Sequence, residues 1–296
     1  MFDENKFEKN FASKPLVSVI IPTFNSMTGT KNVDKTLKSI MNQTYQNIEV
    51  LVIDNFSIDT TYNVCKSYPI RFFRLGGNRS KARNYGISRM RGDYALFSDS
   101  DHILTPKVVE DCVNQALHSN ADCIIVPVKF VSGGKARIDC SQMRALESKL
   151  ELGARTFILF YSKDLIRNIR FPESVELGED MIFSSRALDN KPIISRVKSI
   201  IYHIEDESVK NLVFRSWDYG KRFRLTISEI GLRNSTRLIS DLSALNIRKL
   251  VKGSKIISND SNGLMTILCF SFYILIKHLS FGISYCLSLL EKYVAR

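Results

Sequence analysis

The sequence is poor in the features that mark disulfide-rich, zinc-binding and secreted proteins. Its 296 residues include 6 cysteines, which form no C-x-x-C pair and no zinc-finger spacing. We therefore expect free, buried thiols in a reducing compartment rather than a disulfide framework. The polar stretch 1–14 contains no apolar run typical of a signal peptide, so we expect the catalytic part to stay in the cytoplasm.

Acidic residues are in short supply relative to basic ones. The chain has 30 acidic and 42 basic residues, which gives a formal net charge of +12. Such an excess indicates an anionic partner: nucleic acid, nucleotide phosphates or an acidic membrane surface. Because 44% of the residues are apolar and 24% are charged, the composition is otherwise that of an ordinary globular protein.

Short apolar runs alternate with helical segments through the first 126 residues. Strands are predicted at 17–21, 49–53, 70–75, 94–98 and 123–126, and a further strand-like run at 200–203. Helices are predicted at about 31–42, 59–67, 80–89 and 107–119. This alternation predicts right-handed βαβ units and a doubly wound α/β sheet.

The clearest chemical signal follows the fourth predicted strand, where Asp99 and Asp101 stand one residue apart. Ligands of open α/β sheets bind beyond the carboxyl ends of the strands. Two acids placed there can share a divalent cation whose remaining ligands are phosphate oxygens. A solvated turn is the alternative, since Asp and Ser are common turn residues. Thr105 and Pro106 beyond it predict the start of a helix.

Other strand ends carry further candidate ligand-binding groups. Thr23 follows the first strand, and Asp54 and Asn55 follow the second, where they would either contact a base or ribose or cap the next turn. The stretch 76–81 lacks the spacing of a phosphate-binding loop. It still opens a predicted helix whose N–H groups favour anions, so Arg83 would either face a phosphate or form a surface salt bridge.

Five motifs in order resemble glycosyltransferase family 2, the inverting nucleotide-sugar enzymes with a GT-A fold. The similar segments are Val17–Asn25, Leu37–Thr44, Glu49–Asn55 with Ser57–Asp59, Ala82–Asn84 and Gly92–Asp101. The resemblance implies a GT-A type, Rossmann-like mixed sheet flanked by helices, and a UDP-, GDP- or dTDP-linked sugar donor. It also implies a nucleotide site made of Pro22, Thr23, Phe24, Asn25, Asp54, Asn55, Arg83, Asp99 and Ser100, with Asp101 holding Mg²⁺ or Mn²⁺. Asn55 departs from the family, which often has an Asp there that reads a uracil.

The second half is expected to supply the acceptor site and a base. Glu179 and Asp180 are adjacent acids that enter a predicted helix. Inverting transfer needs a carboxylate to remove the proton of the acceptor hydroxyl. By the resemblance, Asp180 is that base and Glu179 orients it or contacts acceptor, whereas the alternative is a pair of acids complementing the helix dipole. His203 is either an ordinary hydrogen-bonded residue or, as in related enzymes, a group near the metal.

Two C-terminal regions predict contact with a membrane. Trp217 and Tyr219 lie among basic residues, which favours an amphipathic helix on an acidic bilayer over nucleic-acid binding, because no nucleic-acid module is present. The apolar segments 264–276 and 281–290 are too short to span singly, and one long span would bury Lys277. We therefore expect two helices in the membrane interface, or else a helical hairpin buried against the protein or a dimer partner.

The expected organisation has five parts: a leader at 1–14, a nucleotide-sugar half at 15–128, an acceptor half at 129–205, a basic helical region at 206–260, and apolar helices at 261–296. The expected activity is transfer of a sugar to a hydroxyl of a lipid-linked glycan or surface polysaccharide at the cytoplasmic face of the cell membrane. A polyprenyl- or dolichyl-phosphate hexosyl synthase and a non-catalytic nucleotide-binding membrane scaffold are the alternatives. A homo-oligomer is left open, and no nucleic-acid partner is expected.

Overall fold

The protein divides into two compact units in a computed structural model. The structure describes residues 14–28, 32–132, 158–175, 178–205, 208–214, 216–218, 220, 275, 279–284 and 286–287. The first unit comprises 1–128, 156–173 and 183–203, and the second comprises 129–155, 174–182 and 204–296. The five-part organisation expected from the sequence stays a prediction.

Within the described residues, ten strands form two sheets. The strands are β1 (Val17–Thr23), β2 (Ile48–Asp54), β3 (Arg71–Arg74), β4 (Tyr94–Phe97), β5 (His102–Leu104), β6 (Cys123–Ile125), β7 (Val128–Ser132), β8 (Ile158–Ser162), β9 (Ile194–Arg196) and β10 (Ile201–Glu205). The larger sheet has the order β3-β2-β1-β4-β8-β6-β9, and the smaller has the order β5-β10-β7. Strands β3, β2, β1 and β4 are mutually parallel, whereas β8 runs antiparallel to both β4 and β6. The carboxyl ends of four strands therefore lie along one edge of the sheet.

The helices that the structure describes from end to end are α1 (Val33–Met41), α2 (Thr61–Lys66), α3 (Arg79–Arg89), α4 (Val108–His118), α5 (Lys163–Ile166) and α6 (Glu179–Leu188). Helices α1 and α3 begin at asparagines whose side chains accept a backbone N–H, Asn32 from Lys35 and Asn78 from Lys81, as expected of this residue type. Helix α4 begins at Val108 without a side-chain cap. The expectation of a helix start at Thr105-Pro106 was therefore wrong by two residues, because these residues form the preceding turn.

The large sheet is buried on both faces, which explains the continuous apolar runs of its strands. Val17, Val19 and Ile21 of β1 join one core cluster, and Ile20 joins the cluster on the opposite face. Helix α3 approaches β1 so closely that a Cβ on Gly86 would lie 2.4 Å from Cγ2 of Ile20. Glycine is thus required at this contact by the packing of helix on strand.

The structure confirms the α/β class, the mixed sheet and its flanking helices. Cys65, Cys112 and Cys123 are buried free thiols, as expected. Cys286 is also free but exposed, while Cys140 and Cys269 lie outside the described residues. Strand β6 runs in the same direction as β4, but the antiparallel strand β8 lies between them, so the sheet is mixed, as the resemblance implied.

The second unit contributes a few described residues to the C-terminal regions. Among these, Phe214 is 63% exposed and Trp217 is 40% exposed. A Cβ on Gly220 would lie 2.2 Å from the carbonyl oxygen of Phe281, so the backbones of two helical segments touch there. No helix within the described ranges has both the length and the apolar character needed to cross a membrane. Within the segment 264–276 the structure describes residue 275 alone, and Tyr219 and Lys277 lie outside the described ranges.

Candidate active site

The residues Asp99 to His102 form a tight turn at the end of β4. The backbone N–H of Asp99 donates to Nδ1 of His102 at 3.1 Å, and the backbone N–H of His102 donates to the carbonyl of Asp99 at 3.2 Å. The turn is therefore closed by a backbone and a side-chain hydrogen bond. This geometry sets the directions in which the two acids point.

The partly buried Asp99 forms an ion pair with the buried Arg83 of α3. Nη2 of Arg83 donates to Oδ1 of Asp99 at 2.8 Å, and the guanidinium carbon lies 5.3 Å from the centre of the Phe171 ring. Burial alone would raise the pKa of Asp99, but the Arg83 charge and then His102 outweigh it and hold that pKa well below its usual range. Arg83 is thus neither a surface residue nor directed solely at a phosphate, because its guanidinium is paired within the fold.

Asp101 faces a different partner, His203 of β10. The antiparallel register of β5 and β10 places His203 opposite His102, and Nε2 of His203 lies 3.3 Å from Oδ1 of Asp101. Burial would raise the pKa of Asp101, but His203 outweighs it and lowers that pKa. The two acids of the turn therefore differ in role, since one is neutralised by arginine and the other adjoins an imidazole.

This second pair fits a divalent cation. Asp101, His102 and His203 offer ligand atoms that all lie within 4.8 Å of one another. Because Nδ1 of His102 accepts a hydrogen bond, its Nε2 carries the proton of the neutral ring and is no ligand in this arrangement. Oδ1 of Asp101 is buried and accepts no hydrogen bond of good geometry from the described part of the chain. Asp101 and His203 thus stay the predicted ligands, and His102 is a neighbour that the sequence reasoning missed although it directly follows Asp101.

The loops after β1 and β2 are tied together by hydrogen bonds. Asp54 is fully buried, and its carboxylate accepts the N–H and the hydroxyl of Ser57. Asn25 has a positive φ of 45°, its N–H donates to Ser57 Oγ at 2.8 Å, and its Oδ1 accepts from Ile58 N–H at 3.0 Å. The structure favours the capping role for Asp54, and it gives Asn25 a role in shaping the loop. Direct contact of either residue with a nucleotide stays a prediction.

Other predicted nucleotide-binding residues differ widely in exposure. Pro22 and Thr23 are buried in β1, whereas the Phe24 side chain is 49% exposed. Asn55 is half-buried, and its Oδ1 accepts the N–H of Gly77 at 3.1 Å. Phe24 and Asn55 are therefore the predicted base-contacting groups that a ligand can reach at this edge.

The predicted base lies in the second unit, in the first turn of α6. Glu179 is buried, and Oδ1 of the half-buried Asp180 accepts the N–H of Met181 at 2.9 Å. Their roles in catalysis stay predictions. In the first unit, by contrast, the structure brings together Arg83, Asp99, Ser100, Asp101 and His203 beside the loops after β1 and β2.

The sheet order, with an acid pair beyond β4, defines a glycosyltransferase of the GT-A type. The comparison with known families agrees: the family described as glycosyl transferase family 2 matches residues 18–189, and the chain belongs to it. The protein is therefore a glycosyltransferase, and the alternative of a non-catalytic scaffold loses its support.

Similar proteins occur in Gram-positive bacteria. The poly(ribitol-phosphate) β-N-acetylglucosaminyltransferase TarP of Staphylococcus aureus is 31% identical over 238 residues, which cover 72% of this chain and 70% of that protein. The minor teichoic acid biosynthesis protein GgaB of Bacillus subtilis is 28% identical over 204 residues, which cover 63% of this chain but 22% of GgaB.

Solved structures share the fold at low sequence identity. Residues 1–349 of S. aureus TarS give a TM-score of 0.56 at 18% identity and cover 91% of this chain and 90% of that chain. The same TarS fragment with UDP-GlcNAc gives 0.54 at 19% identity, over 89% and 90%. A Mycobacterium tuberculosis glucosyl-3-phosphoglycerate synthase with Mn²⁺ and UDP gives 0.53 at 15% identity, over 73% and 80%.

Proposed function

We propose that this glycosyltransferase moves a sugar, with inversion at the anomeric carbon, from a UDP-linked donor to a hydroxyl of an anionic surface polysaccharide. The observation that carries the proposal is the Asp101–His203 pair, at 3.3 Å, next to the partly buried Arg83–Asp99 ion pair. One pair suits a cation, and the other keeps a carboxylate charged at the edge where nucleotides bind in open α/β sheets.

Asp101 and His203 would hold the cation, Mg²⁺ or Mn²⁺. When bound, it would stabilise the charge on the leaving nucleoside diphosphate. A carboxylate with an imidazole suits Mn²⁺ better than Mg²⁺, because Mg²⁺ prefers oxygen ligands and Mn²⁺ accepts nitrogen as well. The mycobacterial synthase bound to Mn²⁺ and UDP supports this choice.

The donor we propose is UDP-N-acetylglucosamine. The TarS complex with UDP-GlcNAc and the name of TarP support it. In this chain the exposed Phe24 ring would stack against the base, and the Asn55 amide would donate to a base carbonyl. A guanine or thymine base would meet the same groups, so donors of all three kinds belong in the test.

The acceptor we propose is a polymer rich in phosphate, such as a polyol-phosphate chain. The net charge of +12 supports an anionic acceptor, and so do the names of TarP and GgaB, which refer to poly(ribitol phosphate) and teichoic acid. Asp180 would take the proton from the acceptor hydroxyl while the bond to the anomeric carbon forms, and Glu179 would orient Asp180 or contact the acceptor.

Transfer assays with UDP-, GDP- and dTDP-sugars and with poly(ribitol phosphate) test this proposal. We expect Mn²⁺-stimulated turnover with UDP-GlcNAc. The D101N variant should lose about 100-fold or more of the transferase activity, because a residue that binds the metal directly matters more than one that hydrogen-bonds to a ligand. D34N makes the same change at a surface pair with Lys38 and is expected to keep wild-type activity. Equal activity in wild type and D101N would contradict the cation site. Transfer to a polyprenyl phosphate instead of poly(ribitol phosphate) would show that the enzyme is a hexosyl synthase.

We further propose that the enzyme works at the cytoplasmic face of the cell membrane. The exposed rings of Phe214 and Trp217 support this, as does Lys210, whose Nζ lies 5.8 Å from the centre of the Phe214 ring. Co-sedimentation should show binding to vesicles containing phosphatidylglycerol and weaker binding by an F214S/W217S variant. Equal recovery of both proteins with acidic and neutral vesicles would contradict it.

A further inference from the structure

Four buried hydroxyl groups connect the loop after β1 with the acidic turn after β4. Thr23, Ser26, Thr61 and Ser100 are each less than a tenth exposed. The Thr23 hydroxyl donates to Ser26 Oγ at 2.6 Å, and the Ser26 hydroxyl donates to Ser100 Oγ at 2.8 Å. The connection is therefore a directed chain from Thr23 through Ser26 to Ser100.

Ser26 lies at the centre of this chain and uses its full hydrogen-bonding capacity. Besides the two hydroxyl contacts, its Oγ accepts the backbone N–H of Phe24 at 3.3 Å. One donor and two acceptor sites are all that a serine hydroxyl has. Its backbone N–H also donates to Thr61 Oγ1 at 2.8 Å, so the residue is held from two sides.

Ser100 lies between the two acids of the turn. Asp99 is held by Arg83 at 2.8 Å, and Asp101 adjoins His203 at 3.3 Å. The contact from Ser26 fixes the residue between them, and therefore the direction in which both carboxylates leave the turn. Hydrogen bonds of buried groups are costly to leave unmade, so the position of this turn is strongly determined.

We propose that Ser26 is a positioning residue, which aligns the Asp99–Ser100–Asp101 turn for cation binding through its hydrogen bond to Ser100. The proposal rests on the proposed function, since it needs the cation site of Asp101 and His203. Ser26 itself touches neither nucleotide nor cation in this account. It acts by fixing the backbone that carries Asp101.

Mn²⁺ binding to the full chain, measured by electron paramagnetic resonance without any substrate, tests this proposal. We expect S26A and S100A each to weaken Mn²⁺ binding by roughly 10-fold, the equivalent of about one hydrogen bond. The S26A/S100A double variant should bind about as weakly as either single variant, because all three lack the same contact. Losses that multiply in the double variant would overturn the proposal.

S18A is the matched control. Ser18 is fully buried on β1, at the end of the strand away from Ser26. Its hydroxyl donates to Glu49 at 2.6 Å and accepts from Gly92 N–H at 2.9 Å. We expect S18A to lower the melting temperature but to leave Mn²⁺ affinity within twofold of wild type. S100A lies in a turn and keeps the test open should S26A fold poorly.

The outcomes separate this inference from the proposed function. Unchanged Mn²⁺ affinity in S26A and S100A, with wild type binding normally, would overturn this inference alone. A wild-type protein that bound no Mn²⁺ would overturn both the inference and the cation part of the proposed function. Equal weakening by S18A would show a general loss of stability and would also overturn the inference.

Discussion

Two carboxylates separated by one residue have different chemistry here because each meets a different cationic or imidazole neighbour. Asp99 is neutralised by Arg83 inside the fold, whereas Asp101 lies beside His203 and keeps a buried oxygen for a ligand. A spacing of one residue in a turn places the two side chains on different sides, and the surrounding elements then decide their roles.

The Arg83–Asp99 pair leads to the first prediction. We expect R83M to lose about 3 kcal/mol of unfolding free energy, because the partly buried Asp99 carboxylate remains without its partner. D99N should lose at least as much, since it leaves the more deeply buried Arg83 charge without a carboxylate. The R83M/D99N double variant should then be more stable than the sum of the single losses implies, as measured by urea denaturation. If the loss in the double variant equalled the sum of the two single losses, the interaction between Arg83 and Asp99 would contribute nothing to stability.

At the scale of elements, the contact of α3 with β1 determines where Arg83 lies. Gly86 stands one turn after Arg83 and allows the helix to touch the strand. A larger residue would push α3 outward and move the guanidinium away from Asp99. The close helix–strand contact therefore supports the site as well as the core.

A methyl group at position 86 should be destabilising for this reason. We expect G86A to lose about 2 kcal/mol, within the usual range for overpacking, because the new Cβ meets Ile20 at 2.4 Å. G282A is the control, since a Cβ on that helical glycine meets nothing within 4 Å, and it should gain up to about 1 kcal/mol from helix propensity. Thermal unfolding of both variants distinguishes the packing effect from propensity, and a neutral G86A would contradict the close approach.

The elements that sequence predicted well were those with strong local signals. The strands β1, β2 and β4 are buried on both faces and read as continuous apolar runs. The strands β5, β7, β8 and β9 were missed, because each has 3 to 5 residues and acquires its identity from the neighbour with which it pairs. The same limit applied to the site. Asp101 was found from local sequence, whereas the pairing of Arg83 with Asp99 and the contact of Ser26 with Ser100 depend on the tertiary fold.

At the scale of the whole molecule, the two ends of the strands in the large sheet differ in role, since one end carries the site and the other carries structural hydrogen bonds. The carboxyl edge carries the site, and the amino edge is held by Glu49 of β2, which accepts from Ser18, Arg71 and the N–H of Arg91. Burial raises the pKa of Glu49, but these hydrogen bonds outweigh it and hold the pKa below its ordinary value. One carboxylate thus joins three neighbouring segments far along the strands from Asp101.

The lowered pKa of Glu49 predicts how stability depends on pH. The unfolded chain takes up the proton first as the pH falls, so the contribution of Glu49 is present above about pH 4.5 and is lost as the pH falls through its lower folded-state pKa. We expect E49Q to lose about 2 kcal/mol at pH 7 and to show a shallower decline below pH 4.5. Urea denaturation across pH 3 to 7 measures this. The Mn²⁺ affinity of E49Q should equal that of wild type. If unfolding free energy declined equally with falling pH in both proteins, the lowered pKa of Glu49 would be contradicted.

Trp217 has a spectroscopic consequence. It is the chain's only tryptophan, it is 40% exposed, and it belongs to the second unit. Tryptophan fluorescence, excited at a wavelength that tyrosine does not absorb, therefore follows that unit alone, whereas far-ultraviolet circular dichroism follows the helices and strands of both. Recording the two signals during one denaturant titration compares the cooperativity of the two units without any label, and coincident curves would identify a single unfolding transition.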